Sequence, residues 1–375
     1  MIIGIDAYFL YEKHNTGIGM LNLNLIKTLS KVDKENKYIL FTPAITHTDT
    51  AEEITQNQNF SIIEYKNIFR NSRRIWLQSL GLRKQIINKG IQIFLGGGEY
   101  IPIFLPKNII CIVTIHDVVF ALFPETISLT NKISYYTLFK ISLKRANAII
   151  TISNNSKEEI IKYLNVNKPI FVIYNGIDIK KYYPNKEIEK DNYILFVGTL
   201  QPRKNLSNVI RAFNILAQHL NYDLFIVGAS GWKNDDIHKI VKSLHPDIQK
   251  RINFLGYVSN DELATLYKKA KIFVAPSLHE GFGLIILEAL ASGIPVVTSN
   301  RGAIAEVFGD SVEYADPLSP QDIARKIQIL LNDEDKQKKM IYYGLEYVKK
   351  YDINKVALEY VKIFDTINKN LKKII

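Results

Sequence analysis

Short apolar runs alternate with longer stretches of helical periodicity along nearly the whole chain. Residues 2–7, 38–42, 61–65, 91–95, 108–115, 148–152 and 170–174 read as strands. Unbroken apolar runs belong to strands covered on both faces, and strand–helix alternation predicts a parallel sheet between helices. Helical periodicity fills about residues 20–30, 131–144 and the stretch up to Leu164, where Ser156 with Glu159 fits a capping box. Residues 180–191 break the pattern: they are polar, charged and contain Pro184, as an interdomain linker would. The alternation then restarts with strands at 193–198, 223–227 and 252–255 and helices at 208–218, about 235–243, 261–270 and 320–331. The division expected is a first domain over 1–178, a second over 179–352, and a last helix over 353–375.

The most informative stretch runs from His279 to Gly293. A buried-strand pattern precedes it, residues 271–277, and another follows, 294–299. Leu284 to Ala291 reads as a short helix that is apolar nearly all round, with Gly293 as its cap and Pro295 preventing continuation. Glu280 lies in the loop before this helix, and Glu288 is the one charge within it. A buried carboxylate is costly unless hydrogen-bonded. Gly281 and Gly283 leave backbone amides uncovered beside a helix start, which is an anion site. An acid, a bared helix start and a second acid suit a phosphate flanked by hydroxyls, the layout of a nucleotide sugar. Glycines alone would suggest only a tight turn; the two placed acids favour a ligand.

Three other places carry candidate chemistry. Gly17 and Gly19 stand at the start of the first helix, where either a small anion site or a simple turn fits. His116 and Asp117 end the strand 108–115, and working residues collect at carboxyl ends of strands in open α/β sheets. The pair could be an acid, a base or a hydroxyl anchor; equally, His116 could be satisfied by a carbonyl while Asp117 caps the next turn. Arg203 and Lys204 follow the strand ending at Gly198, where a phosphate would lie.

Glu280, seven residues and Glu288, with these glycines and flanking strands, resemble the E-x7-E motif of family-four retaining glycosyltransferases. The phrase Thr114-Ile115-His116-Asp117, Arg203-Lys204-Asn205 and Tyr314-Ala315-Asp316-Pro317 extend the likeness over nearly the whole chain. The resemblance implies an α/β GT-B fold: two Rossmann-like doubly wound domains facing a cleft, with the last helix crossing back to the first. It implies that Glu280 touches the donor sugar, Glu288 the ribose, and the amides of Gly281, Phe282, Gly283 and Leu284 the diphosphate. His116 would contact the transferred sugar, and Arg203 and Lys204 would neutralise the diphosphate. Gly17 and Gly19 would face the donor, and Ser230 and the backbone at Val258 would contact nucleotide and base. Two departures stand out. Thr199 occupies a position where many members carry Arg, and a single glycine stands where many have two together. No carboxylate is placed as a nucleophile, so the family's front-face mechanism is implied. No cofactor or metal is expected, because two cations and a helix dipole can hold the leaving group. The likeness is greatest to mannosyltransferases of surface-polysaccharide assembly, implying GDP-mannose as donor and a glycan or lipid-linked acceptor. A GT-B nucleotide-sugar epimerase is the alternative.

Composition adds the partner classes. Of 375 residues, 47% are hydrophobic and 23% charged, enough for two real cores. A net charge of +11 favours phosphorylated ligands or an anionic membrane; no nucleic-acid motif is present. The single cysteine, Cys111, excludes internal disulfides and sits in an apolar run as a core residue. The amino terminus reads as a strand rather than a signal peptide, and no apolar run approaches a membrane span, so a cytoplasmic protein is expected. Between Glu64 and Glu99 there is no acid, while Lys66, Arg70, Arg73, Arg74, Arg83, Lys84 and Lys89 stand among Phe69 and Trp76. That segment is expected to dock on an anionic membrane; the alternative is that Trp76 packs on the sheet and the arginines are solvated or line the site.

Overall fold

The computed structural model describes residues 1–12, 17–124, 129–185, 189–229 and 235–371. It divides into two units, residues 1–176 with 353–375, and residues 177–352. In the first, seven parallel strands stand in the order β3-β2-β1-β4-β5-β6-β7. They are β1 (Ile2–Asp6), β2 (Lys37–Thr42), β3 (Phe60–Glu64), β4 (Ile93–Leu95), β5 (Ile110–Ile115), β6 (Ala148–Thr151) and β7 (Ile170–Val172). All six residues of β5 are buried, as a strand covered on both faces requires. On one face, Leu25, Ile26 and Leu29 of the helix Gly17–Val32 join Ala357, Phe364 and Ile367 of the helix Ile353–Leu371 in one core. Phe364 is fully buried, so Phe364→Ala should cost roughly 3–5 kcal/mol. On the other face Trp76, Leu82, Phe94, Cys111, Val113 and Phe139 pack together. Burial pushes the Cys111 thiol up to about 11, which keeps it inert.

The second unit has six parallel strands in the order β10-β9-β8-β11-β12-β13. They are β8 (Tyr193–Val197), β9 (Asp223–Val227), β10 (Ile252–Gly256), β11 (Ile272–Ala275), β12 (Val296–Thr298) and β13 (Glu313–Tyr314). Each sheet reverses its strand order once, between β1 and β4 in the first and between β8 and β11 in the second. The carboxyl ends of strands at such a reversal open a crevice between diverging connections.

Local details differ from the sequence expectation in instructive ways. The first helix begins at Gly17, so both glycines lie in its opening turn. Ser153, rather than Ser156, caps the helix Asn154–Leu164, because its Oγ accepts from Ser156 N at 3.0 Å. The polar stretch 46–57 contains a helix, Thr48–Thr55, docked by Ala51 and Ile54. Residues 131–144 are not one α-helix: a π-helical turn, Tyr135–Phe139, separates Leu129–Ser134 from Lys140–Arg145. That turn lets Tyr135 stack on Phe120 at 4.2 Å while Phe139 stays in the core.

The basic segment also divides. Trp76 is fully buried and donates its indole N–H to Tyr65 O at 2.8 Å, so it packs on the sheet. Arg73 turns inward to Asp6, with Nε 2.7 Å from Oδ2, so neither residue is available to a membrane.

Candidate active site

The second unit's crevice is built by three connections. After β8, Pro202 opens a short 3₁₀ turn, Pro202–Lys204, which ends at Asn205 in the left-handed conformation (φ 62°). Asn tolerates that backbone better than other side chains. Here it also donates Nδ2 to Pro276 O at 2.9 Å and Pro317 O at 2.6 Å. This fastens the turn to the segments after β11 and β13. Leu278 N donates to Arg203 O at 2.8 Å and closes the seam.

Lys204 and Arg203 thereby meet Glu280. Lys204 Nζ lies 2.5 Å from Glu280 Oε1, and Arg203 Nη1 lies 3.3 Å from Oε2. Ser277 Oγ donates to Oε1 at 2.7 Å. Glu280 is 6% exposed. Burial opposes its charge, but Lys204, Arg203 and the Lys204 and Ser277 hydrogen bonds prevail and hold the carboxyl down at about 2. Two cations face one carboxylate, which leaves an excess of positive charge. The Glu280 backbone is fixed from behind: Ala303 N donates to its carbonyl at 2.9 Å, and Gly302 (φ +63°) packs so closely that a Cβ would fall on that oxygen.

The motif helix is Leu284–Ala291, with Gly283 before it at φ 93°. A Cβ on Gly283 would stand 2.9 Å from the Phe308 ring as well as strain the backbone. Phe282 is 2% exposed and packs edge-on against Tyr351, centroids 5.6 Å apart, so its side chain anchors the turn. The first amides of a helix have no acceptor within it, so the helix start at Leu284 offers anion-binding geometry beside Glu280. Glu288, half-buried, accepts from the Tyr267 hydroxyl at 3.0 Å and from Tyr182. Burial pushes its carboxyl up to about 7; the two hydrogen bonds and the Lys181 charge offset only part of that.

The remaining expected residues are placed separately. His116 follows β5 in the first unit and is 8% exposed. Neither ring nitrogen has a hydrogen-bond partner among the described residues. Burial, aided by Arg73 and opposed by Asp117, pushes it down to about 4, so it is neutral at pH 7. Asp117 accepts from Val119 N at 3.1 Å and caps the following turn. Gly19 lines a crevice with Asp6, Glu12, Asn22 and Arg73, whereas Gly17 is exposed. Val258 follows β10, the edge strand, two strands away from β8. Ser230 lies outside the described residues. Ser277, Tyr182, Tyr267 and Gly302 escaped the sequence reading; of these only Ser277, three residues before Glu280 at a strand end, carried a signal. The chain's one Asp-x-Asp, Asp333-Glu334-Asp335, is a helix start whose Asp333 accepts from Lys336 N at 2.9 Å. Among the described residues no group of three or more His, Cys, Asp and Glu side chains is placed to hold a metal.

Comparison with known proteins supplies the class. The fold matches the sucrose-phosphate synthase of Thermosynechococcus elongatus with a TM-score of 0.76, covering 98% of each chain at 18% identity. It also matches Anabaena HepE, solved with UDP and glucose, with a TM-score of 0.71, covering 97% of this chain and 99% of that one at 17% identity. Two parallel doubly wound sheets of this kind make the fold GT-B. A model of "Glycosyltransferase Family 4" matches residues 16–181, and one of "Glycosyl transferases group 1" matches 178–347. Together the two models span residues 16–347, and the chain is a family-four-like glycosyltransferase. It is similar to the O-antigen chain mannosyltransferase B of Escherichia coli, 29% identical over 361 residues, 90% of this chain and 92% of that one.

Proposed function

We propose that this glycosyltransferase moves mannose from GDP-mannose to a hydroxyl of a glycan or lipid-linked acceptor with retention at the anomeric carbon. The observation that carries this reading is Glu280 held between Lys204 and Arg203 beside the glycine-bared start of Leu284–Ala291. The similarity to a mannosyltransferase supports the sugar, and the neighbour solved with UDP and glucose supports a nucleotide-sugar donor.

Without donor, Glu280 pairs with both cations and offsets one of their two charges. An arriving diphosphate takes over Lys204 and Arg203, and the freed carboxylate then accepts from hydroxyls of the donor sugar. As the bond from C1 to the phosphate oxygen breaks, its electron pair stays with the diphosphate, where Lys204, Arg203 and the helix start stabilise it. The acceptor oxygen bonds to C1 on the same face and its proton passes to a diphosphate oxygen. Glu288 accepts from the ribose, and neutral His116 hydrogen-bonds a sugar hydroxyl instead of acting as an acid. The reaction so drawn calls for no metal or cofactor. The match to two glycosyltransferase models and the similarity to a mannosyltransferase favour transfer over epimerisation.

A peripheral site on an anionic membrane fits the lipid-linked acceptor. Ile68 (88% exposed), Leu80 (72%) and Phe104 (58%) stand out of the first unit near exposed Lys66, Arg70 and Lys84. Among the described residues no helix is long and apolar enough to cross a bilayer. Arg70→Glu with Lys84→Glu should abolish flotation with anionic vesicles at low salt; equal flotation with neutral vesicles removes the docking claim.

A thermal-shift panel of GDP-, UDP- and dTDP-sugars, followed by transfer from labelled GDP-mannose and NMR of the product anomer, tests the whole reading. Stabilisation by GDP-mannose and an α-linked product are expected. No stabilisation by any of these nucleotides would sink it.

A further inference from the structure

The chain passes from the first unit into the second between residues 176 and 177, and the polar linker that follows is fastened residue by residue. Asp178 starts a turn, its carbonyl accepting from Lys181 N and Tyr182 N, each at 3.1 Å. Lys181 Nζ lies 3.5 Å from Asp261 Oδ1, on the helix Asn260–Lys269. Lys268 Nζ of the same helix stands 3.7 Å over the centroid of the Tyr183 ring. Pro184 reaches Gly293, just after the motif helix, where a Cβ would stand 2.8 Å from the proline's own Cβ. Between these outer fastenings Tyr182 turns inward and is 8% exposed. It meets the Tyr267 ring edge-on, centroids 6.0 Å apart, and its hydroxyl donates to Glu288.

Glu288 receives a second phenol proton from Tyr267, which is fully buried and lies with its Oη 3.0 Å from Oε2. The setting is the reverse of that around Glu280, where two cations hold the carboxylate. A phenol has one proton to give, whereas an ionised carboxylate has about four lone-pair sites. Two neutral donors therefore fix the orientation of the Glu288 carboxyl group and leave acceptor capacity for two more hydroxyls, the number a ribose offers. A cation in their place would fix the group equally well but would cancel the charge that strengthens hydrogen bonds to those hydroxyls. Both phenols keep their protons, because burial and the Glu288 charge push them far up. Lys181 acts on Glu288 from farther away, and Asp178 and Asp261 act on Tyr182.

We infer that Tyr182 and Tyr267 are positioning residues for the donor: they hold Glu288 to accept from both ribose hydroxyls, which makes the linker a working part of the nucleotide site. This rests on the transferase reading and adds to it the residues that act through Glu288.

Calorimetry with GDP, UDP and their 2′-deoxy forms on the wild type, Tyr182→Phe and Tyr267→Phe tests it. Phenylalanine keeps each ring and removes only the hydroxyl; should Tyr267→Phe fail to fold, Tyr182→Phe carries the test alone. At pH 8 each variant should bind the ribonucleotide roughly fivefold or more weakly and lose most of its preference over the 2′-deoxy form. The pH at which affinity rises should also move upward in Tyr182→Phe, because the ionised carboxylate has lost a donor. In a Glu288→Ala background, Tyr182→Phe should change affinity by less than about twofold. A merely structural tyrosine would lower the thermal midpoint and leave the ribose preference and the pH profile where they were. Unchanged ribose preference in Tyr182→Phe, or an equal loss with and without Glu288, overturns the inference; nucleotide binding by the wild type then leaves the transferase reading standing. No binding of GDP or UDP by the wild type sinks that reading, and the inference with it.

Discussion

The two sheets reverse their strand order in the same way but arm the reversal with opposite charge. Between β8 and β11, Lys204 and Arg203 outnumber Glu280. Between β1 and β4, among the described residues, Arg73 and Arg74 face Asp6, Glu12 and Glu99. The backbone architecture decides where a ligand can lie, and the side chains at the strand ends decide what it is. A crevice with spare cations suits a diphosphate, and one with spare carboxylates suits hydroxyls. Glycine serves both, bringing Gly302 against the Glu280 backbone and Gly97 and Gly98 against Asp6 and Arg73.

The comparison is broken most severely at Lys204. Lys204→Ala should slow transfer by roughly 10²–10³-fold at saturating donor, the usual cost of losing a preorganised charge on a leaving group. Near-normal turnover would mean that the surplus cation has no part in the reaction. Arg73→Ala offers the contrast: it leaves buried Asp6 without its cation, so it should cost roughly 3 kcal/mol in urea denaturation while nucleotide affinity stays within about twofold.

Next come the glycines. Gly302→Ala combines a left-handed backbone with a clash against the Glu280 carbonyl, and should cost about 2–3 kcal/mol in urea denaturation. Gly98→Ala meets only the end of a long side chain and should cost about 1 kcal/mol or less. Equal costs would show that Arg73 is held as rigidly as a backbone.

Glu280→Ala leaves two cations without their counter-charge. Breaking a fully buried pair costs about 3–5 kcal/mol. Here Lys204 and Arg203 keep 13% and 21% of their surface, which reduces the loss to roughly 1–3 kcal/mol. Because the Glu280 carboxyl is held at about 2, below its ordinary 4.5, its contribution is present above pH 4.5 and fades as pH falls toward 2. An acid titration should show this fade in the wild type and not in the variant, and GDP should stabilise the variant more than the wild type.

Glu288 should behave with the opposite sign. Its carboxyl stands at about 7, above the ordinary 4.5, so its contribution is complete below pH 4.5 and lost as pH rises through 7. Glu288→Gln should match the wild type at pH 4 and exceed it by about 1 kcal/mol or more at pH 8. Ribose hydroxyls donate best to the ionised form, so wild-type affinity for GDP should increase from pH 6 to 8 while that of Glu288→Gln stays flat. A pH-independent wild-type affinity would remove Glu288 from the ribose.

The sequence alone determined the two doubly wound sheets. Buried parallel strands must be apolar on both faces, and runs such as 110–115 and 272–275 carry that requirement in consecutive residues. It also exposed the motif around Glu280 and Glu288, because a helix start, its glycines and its flanking strands are adjacent in the chain. Only the tertiary structure decided what those acids touch. Lys204 and Glu280 are 76 residues apart, and Asp6 and Arg73 are 67 apart. Tyr267, on the helix Asn260–Lys269, reaches Glu288 on another. Parallel strands are joined by crossovers, so residues at neighbouring strand ends are distant in sequence, and nothing local records that they meet. The basic segment shows the same division. Its composition was plain, but whether Arg73 faces a membrane or Asp6 depended on which side chains the folded sheet placed beside it. An ion pair's strength and a carboxyl's pKa depend on burial and on charges a few ångströms away, and only the packed chain sets those distances.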